Sequence, residues 1–290
     1  MNQPADLSLK HLQGLFNIAF TELVHLHTGE NESFLLSTAN QQFVLKVYRK
    51  KRSQRVKVDE EIKLLNWLGH SGIKTVSESV IKHSHDRIMI LQKFISGYML
   101  TAPEPRDYQH LGQEIRLLHQ LKPEGRDLPQ LDFASVIAAN WPDIENASFL
   151  SDKLILKLNS YKELVQKKFV FSGTALIHFD LHWGNILIDS SNSMVLLDWE
   201  ECGVGNPILD LATVNTHLMK KASRSELLKG LLEGYQGQFT NEEMNLATMV
   251  KLLNLLGHIP SKLDMPQLKD PAAIFERYLG YFQILTDEGL

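Results

Sequence analysis

The chain has 290 residues, of which 43% are hydrophobic and 22% charged, a composition typical of a soluble globular protein with one large or two small domains. Its single cysteine excludes an internal disulfide framework. Because neither a signal peptide nor an apolar run of membrane-spanning length is evident, the sequence predicts a cytoplasmic protein without a membrane partner.

The net charge of −4 is unevenly distributed. Residues 1–96 contain 13 basic and 9 acidic residues, which gives +4, and residues 97–290 contain 17 and 25, which gives −8. This balance does not indicate a nucleic-acid-binding protein.

Residues 1–96 are predicted to form mainly an antiparallel sheet. Short apolar runs separated by turn-rich segments indicate strands, and an amphipathic pattern over residues 56–68 indicates a helix that ends at Gly69. The predicted strands are 22–26, 33–37, 43–48, 76–82 and 88–94, with a leading helix over 7–16 and a hinge at 92–97.

Residues beyond the hinge show mainly helical periodicity. The predicted helices are 108–121, 133–141, 151–169, one that starts at 206–207, and most of 223–285. A β-hairpin interrupts them, because two apolar runs, 186–188 and 194–197, flank a turn-rich segment.

Polar residues stand at both ends of this hairpin. Asp180 and Asn185 precede its first strand, and Asp198 ends its second strand. Because a hairpin brings such ends together, we expect the three side chains to converge. Two carboxylates and an amide oxygen suit a hard cation such as Mg²⁺. Taken singly, each residue also has a structural interpretation as a cap or a turn residue.

The order His178-x-Asp180, Asn185 and, after the hairpin, Asp198 resembles the catalytic core of protein-kinase-like folds. The flanking letters HFDLHWGN, LLDWE and GNPILDLA are similar to those of the aminoglycoside phosphotransferase and choline kinase superfamily. This resemblance implies an α+β, two-lobed protein-kinase-like fold. It has a small antiparallel-sheet N-terminal lobe that binds the nucleotide, residues 1–96, and a mainly helical C-terminal lobe for catalysis and acceptor binding, residues 97–290.

The same resemblance implies ATP and Mg²⁺ as cofactors. Asp180 would orient the acceptor hydroxyl and take its proton late, whereas Asn185 and Asp198 would hold Mg²⁺. His178 and Asp210 would support the catalytic loop.

On the nucleotide side, Lys46 in the stretch FVLKVYR resembles the third-strand lysine that contacts the α- and β-phosphates. The family pattern pairs it with Glu61 of the following helix, and Glu60 is the alternative. The other implied nucleotide-binding residues are Asn31 and Ser33 in the phosphate loop and Gln92 and Phe94 at the hinge.

The predicted function is an ATP-dependent transfer of the γ-phosphate to a hydroxyl of a small molecule. The negative charge of residues 97–290 favours a cationic acceptor, an aminoglycoside-like antibiotic first, with His182, Glu200 and Glu201 as acceptor-pocket candidates. The alternatives are a metabolite kinase for choline, homoserine or a similar compound and, from another class, a protein kinase or a non-catalytic nucleotide-binding pseudokinase. The missing activation segment after Asp198 disfavours a protein kinase.

Overall fold

The computed structural model describes residues 7–28, 31–49, 58–76, 79–84, 87–260 and 270–289. Contacts divide the chain into two compact units, Met1–Met99 with Ile186–Glu200 and Leu100–Asn185 with Glu201–Leu290. The hairpin segment therefore belongs to the first unit, whereas the sequence-based lobe boundary near residue 96 assigned it to the C-terminal lobe.

Most strands lie in the first hundred residues of the chain, and most helices follow them. The strands are β1 Glu22–Thr28, β2 Glu32–Ser37, β3 Gln42–Arg49, β4 Val80–Ser84, β5 Arg87–Lys93, β6 Gly97–Met99, β7 Ala175–Ile177, β8 Ile186–Asp189, β9 Met194–Leu196 and β10 Gly203–Gly205. The helices are α1 Leu9–Phe16, α2 Val58–His70, α3 Pro105–Gln120, α4 Phe133–Val136, α5 Trp141–Glu145, α6 Asp152–Lys168, α7 Ile208–Leu218, α8 Arg224–Tyr235, α9 Asn241–His258 and α10 Pro271–Asp287.

The main sheet of the first unit has the strand order β1-β2-β3-β5-β4, with every neighbouring pair antiparallel. The antiparallel sheet predicted from the sequence is thus confirmed. Helix α1 buries Leu12 and Phe16 against Leu36 and Leu45 of the sheet, because its apolar residues recur at helical spacing.

The predicted hairpin is present as β8 and β9, and β6 pairs with the other side of β8. Oδ1 of Asp189 accepts hydrogen bonds from the backbone N–H groups of Ser191 and Ser193, at 2.8 and 3.0 Å, and so closes the turn. After the second strand, the fully buried Trp199 donates from Nε1 to Oγ1 of Thr75 at 3.0 Å. These bonds fix the turn of the hairpin and the chain that follows its second strand.

The second unit is built around α9, which is buried along most of its length and packs against α6, α7 and α10. Helices α3 and α8 pack closely against each other. Gly112 and Gly234 permit this approach, because an added Cβ at either position would overlap with backbone oxygens of the facing helix. A two-stranded sheet of β7 and β10 completes the unit.

The helix predicted over residues 133–141 is wrong in its extent. The structure has α4, a 3₁₀ turn at Ala138–Asn140 and then α5. Ile137, with φ −122° and ψ −54°, interrupts the helix, and Pro142 starts the next one because proline suits the first turn of a helix.

Several predicted segments extend beyond the described residues. These are positions 56–57 of the second helix, 29–30 of the phosphate loop, 77–78 of the fourth strand and 261–269 of the C-terminal helical region. Within the described residues, no helix is both long and apolar enough to cross a membrane.

Candidate active site

The first unit gathers a cluster of partly buried charges around Lys46. Strand β3 directs this lysine to two carboxylates, and its Nζ lies 2.9 Å from Oδ1 of Asp198 and 3.3 Å from Oε1 of Glu200. Asn31 donates from Nδ2 to the same Glu200 oxygen at 2.7 Å. Ser33 stands opposite Lys46 in the β2–β3 register. The structure therefore brings the predicted phosphate-loop residues and the third-strand lysine together.

Burial alone would lower the pKa of Lys46, but nearby Tyr48 and the neighbouring carboxylates outweigh it and raise that pKa well above its ordinary value. The lysine is therefore a permanent cation. Asp198 adopts φ +62°, a left-handed conformation that is uncommon for a non-glycine residue and that aspartate tolerates better than most.

The predicted ion pair between Lys46 and Glu61 is not formed in the part of the chain that the structure describes. Lys46 contacts Asp198 and Glu200 instead, while the carboxylate of Glu61, only 2% exposed, faces the hydroxyl of Tyr48 at 3.5 Å. Burial raises the pKa of Glu61 to about 7, and the charge of Lys46 only partly offsets it.

The helix register distinguishes the two α2 glutamates that the sequence leaves open. Glu60 lies on the outer side of α2 and forms an ion pair with the exposed Lys63 at 2.6 Å. Glu61 points inward and interacts electrostatically with Lys46. Of the two, Glu61 is thus the residue on the lysine side of the helix.

Glu200 is held at Lys46 in the structure, and its place in the acceptor pocket stays a prediction. The sequence assigns it to the acceptor pocket, but its side chain contacts Lys46 and Asn31. Burial raises the pKa of Glu200 to about 8; Lys46 lowers it, and Asp198 and Glu61 raise it further. It is therefore part of the lysine cluster. The partly buried Glu201 is in the second unit.

The second unit holds the catalytic-loop residues in one local network. Asn185 donates from Nδ2 to both the backbone carbonyl and Oδ2 of Asp180, each at 2.9 Å. Its two amide hydrogens are therefore directed at Asp180, and Oδ1 is the atom suited to coordinate a metal. His182 lies close as well, with Nε2 3.7 Å from Oδ2 of Asp180.

The carboxylate of Asp180 is held in its ionised form. Burial opposes the charge, but the adjacent imidazole of His182 and the positive charge of Lys251 outweigh burial and keep the pKa of Asp180 well below its usual range. Its side chain remains 30% exposed, so it can still reach a ligand.

Asp210 braces the backbone that precedes this aspartate. Its buried carboxylate accepts hydrogen bonds from the N–H groups of His178 at 3.0 Å and Phe179 at 2.6 Å, and from Nε2 of His119 at 3.0 Å. Phe179 has φ +64°. These contacts hold a left-handed residue immediately before Asp180.

Two residues near Asp180 were missed by the sequence reasoning. The ring of His217 in α7 lies 4.9 Å from the ring of His182, and burial, followed by the charge of His182, lowers its pKa to about 4. Lys251 in α9 contacts the catalytic loop directly. A lysine inside the apolar stretch MVKLLNLL is a usable signal, because lysine is seldom fully buried without a partner.

The hinge candidates occupy the end of β5. Gln92 is buried and donates from Nε2 to Oγ of Ser79 at 3.1 Å. Phe94 is 38% exposed, and its N–H already donates to the carbonyl of Gln42. The convergence of Asp198 with Asp180 and Asn185 stays a prediction.

Most of the sequence matches a known family. The family model described as "Phosphotransferase enzyme family", APH, matches residues 24–246. The chain belongs to this phosphotransferase family. The family resemblance predicted from the sequence motifs is therefore confirmed. Comparison with curated proteins gave no significant match.

Solved structures share the fold of this phosphotransferase over almost its whole length. A microcompartment-associated aminopropanol kinase is 19% identical, with a TM-score of 0.76 over 98% of this chain and 99% of that one. A choline kinase from Streptococcus pneumoniae is 15% identical, with a TM-score of 0.75 over 95% and 98%. A spectinomycin phosphotransferase is 13% identical, with a TM-score of 0.72 over 97% of each chain. The predicted protein-kinase-like α+β fold is confirmed.

Proposed function

We propose that this phosphotransferase transfers the γ-phosphate of ATP to a hydroxyl group of a small hydroxylated amine. The observation that carries the proposal is the Asp180–Asn185 pair, two hydrogen bonds of 2.9 Å in a loop that Asp210 braces. Phosphoryl transfer needs chiefly positioning and neutralisation of charge, and a rigidly held carboxylate supplies the first of these.

Asp180 orients the acceptor hydroxyl by accepting its hydrogen bond. Because its pKa is held well below the usual range, the carboxylate is a weak base before the reaction. It therefore takes the hydroxyl proton late, when the bond from oxygen to phosphorus is largely formed. Asn185 limits rotation of the carboxylate by holding Oδ2.

Mg²⁺ fits the chemistry of the residues proposed to hold it. Asn185 offers an amide oxygen, and Asp198 offers a carboxylate whose side chain is 38% exposed; oxygen ligands of this kind are those that Mg²⁺ prefers. Bound Mg²⁺ would neutralise phosphate charge. Lys46 has an ammonium with three donors and contacts the α- and β-phosphates in this proposal. The spectinomycin phosphotransferase structure contains ADP, which supports ATP as donor.

The acceptor class is proposed from charge and from the similar structures. Aminopropanol, choline and spectinomycin are named for those proteins, and each combines a hydroxyl with an amine or ammonium group. The net charge of −8 for residues 97–290 favours capture of a cation, an effect that weakens with added salt. Aminoglycoside-like antibiotics and small alkanolamines both belong to this class.

An acceptor panel tests the proposal. Purified protein with MgATP is given kanamycin, choline, aminopropanol, homoserine, glycerol or casein, and ADP release is measured. We expect the highest kcat/KM with one of the three cationic amino alcohols and a decline of that value with added salt. A preference for glycerol would contradict the acceptor class, and a preference for casein would indicate a protein kinase. Nucleotide binding without any turnover would indicate a pseudokinase.

A further inference from the structure

Lys251 is a buried lysine on α9 that neither the sequence motifs nor the proposed chemistry assigns. Its side chain lies in the core of the second unit, where the residue is only 2% exposed and its neighbours Val250 and Leu252 are fully buried. Burying an ammonium is costly unless it is paired. Its position therefore requires a specific partner.

That partner is the backbone of the catalytic loop. Nζ of Lys251 donates to the carbonyl oxygen of Phe179 at 2.6 Å and lies 4.1 Å from the centroid of the Phe179 ring. A charge-assisted hydrogen bond and a cation–π contact thus join α9 to one residue of the loop.

The carbonyl of Phe179 belongs to the same peptide group as the N–H of Asp180. That N–H donates to Nδ1 of His178 at 3.3 Å, so Lys251 and His178 hold the two ends of one peptide plane. The two preceding N–H groups are held by Asp210. Since Phe179 is left-handed, with φ +64°, this arrangement persists only if its surroundings enforce it.

We propose that Lys251 is a positioning residue that sets the direction of the Asp180 carboxylate by fixing the Phe179–Asp180 peptide from α9. The role of Asp180 in this inference rests on the proposed function. The ammonium is buried and bonded to the Phe179 carbonyl. It acts on Asp180 through the backbone and also through its charge, which helps keep that carboxylate ionised.

Native-state hydrogen exchange tests the positioning independently of turnover. The variants are Lys251→Met, which removes the donor and the charge, and Lys251→Gln, which is uncharged and one bond shorter. Lys229→Met, at a lysine that is 75% exposed, is the matched control. We expect the amides of His178, Phe179 and Asp180 to exchange roughly tenfold faster in Lys251→Met than in wild type. The increase in rate should be smaller in Lys251→Gln, and the control should exchange at the wild-type rate.

If Lys251 only stabilised the core, the exchange pattern would be different. Exchange would then rise throughout the second unit, or would stay unchanged in the loop, and either result overturns the inference. If Lys251→Met does not fold, the test uses Lys251→Gln. Wild-type exchange rates at the His178, Phe179 and Asp180 amides of that variant would contradict the positioning role.

Kinetics supply the second readout, with MgATP and the acceptor panel of kanamycin, choline and aminopropanol. Lys251→Met is expected to lower kcat roughly tenfold or more with KM for ATP within about twofold of wild type. Wild-type kcat in that folded variant overturns the inference while leaving the proposed function intact. If the wild-type protein shows no turnover, only the proposed function is refuted. The hydrogen-exchange rates of the loop amides still test the role of Lys251.

Discussion

The buried carboxyl groups of the site differ in their pKa values, because different neighbours offset the effect of burial. Asp180 is ionised, because the adjacent imidazole of His182 and the charge of Lys251 outweigh its burial. Glu61 and Glu200 have pKa values raised to about 7 and about 8. At neutral pH these two glutamates are therefore partly protonated, which reduces the negative charge around Lys46 where phosphates are proposed to bind.

Replacing Lys46 tests the nucleotide side of this arrangement. In Lys46→Met, we expect the Kd of MgATP to rise roughly tenfold or more, because a charge-assisted bond to phosphate is lost and Asp198 and Glu200 remain without their cation. Calorimetric titration gives the Kd. Lys63→Met, at a lysine that is 66% exposed, is the control and should bind as wild type does. Unchanged binding in Lys46→Met would show that the lysine is purely structural.

His217 gives the protein a predictable response to acid. Burial, with the charge of His182, lowers its pKa from 6.5 to about 4, so the unfolded state takes up the proton first as the pH falls. The stability contributed by neutral His217 is complete above pH 6.5 and is lost as the pH falls through about 4, by up to roughly 3 kcal/mol.

Thermal unfolding of His217→Gln over this pH range measures that contribution. The variant should lose less stability than wild type between pH 6.5 and about 4, whereas His110→Gln, at a side chain that is 41% exposed, should follow wild type. Parallel pH curves for wild type and His217→Gln would contradict this account.

Sequence reasoning found those site residues whose partners are close in sequence or share a motif. Asp180 and Asn185 are five residues apart and bond to each other. Lys251 is 72 residues from Phe179, and only tertiary packing brings them together, so spacing could not reveal the contact. The direction of Glu200 was missed for a similar reason, since Lys46 is 154 residues away.

At the scale of elements, regular patterns were predicted well and interruptions were not. Alternating apolar residues and short turns determined the strands of the sheet and the hairpin. The helix predicted over residues 133–141 was too long, because periodicity continued past Ile137, where the backbone interrupts the helix. A separate helix follows, with Pro142 in its first turn. Apolar spacing shows that a helix face is buried, but local backbone angles decide where the helix ends.

The α3–α8 contact yields a prediction for a glycine. In Gly234→Ala, the new Cβ would overlap with the carbonyl oxygen of Gln109, which the backbone cannot avoid without moving the helices. We expect a loss of roughly 1–3 kcal/mol in the free energy of unfolding, measured with urea. Gly280→Ala in α10 is the control: its Cβ meets open space, and alanine should add about 1 kcal/mol. Equal effects of the two changes would contradict the close packing.

At the scale of the whole molecule, the family and fold followed from the sequence, whereas the acceptor did not. The motif order around Asp180, Asn185 and Asp198 is set by chemistry common to the family, and the family model spans residues 24–246. Residues beyond 246 lie outside that match, and the similar structures are at most 19% identical. Acceptor recognition depends on individual side chains, and similarity at this level of sequence identity does not show which acceptor they bind.

The central claim is that Asp180 directs phosphate from ATP to a hydroxyl of a small hydroxylated amine. Its most direct test is mass spectrometry and ³¹P NMR of the acceptor after incubation with MgATP and either wild-type protein or Asp180→Asn. We predict a single phosphate ester on an acceptor hydroxyl with wild type, and a rate lower by roughly a hundredfold or more with Asp180→Asn, at an unchanged Kd for MgATP. Formation of ADP without any phosphorylated acceptor, or undiminished transfer by Asp180→Asn, would contradict the claim.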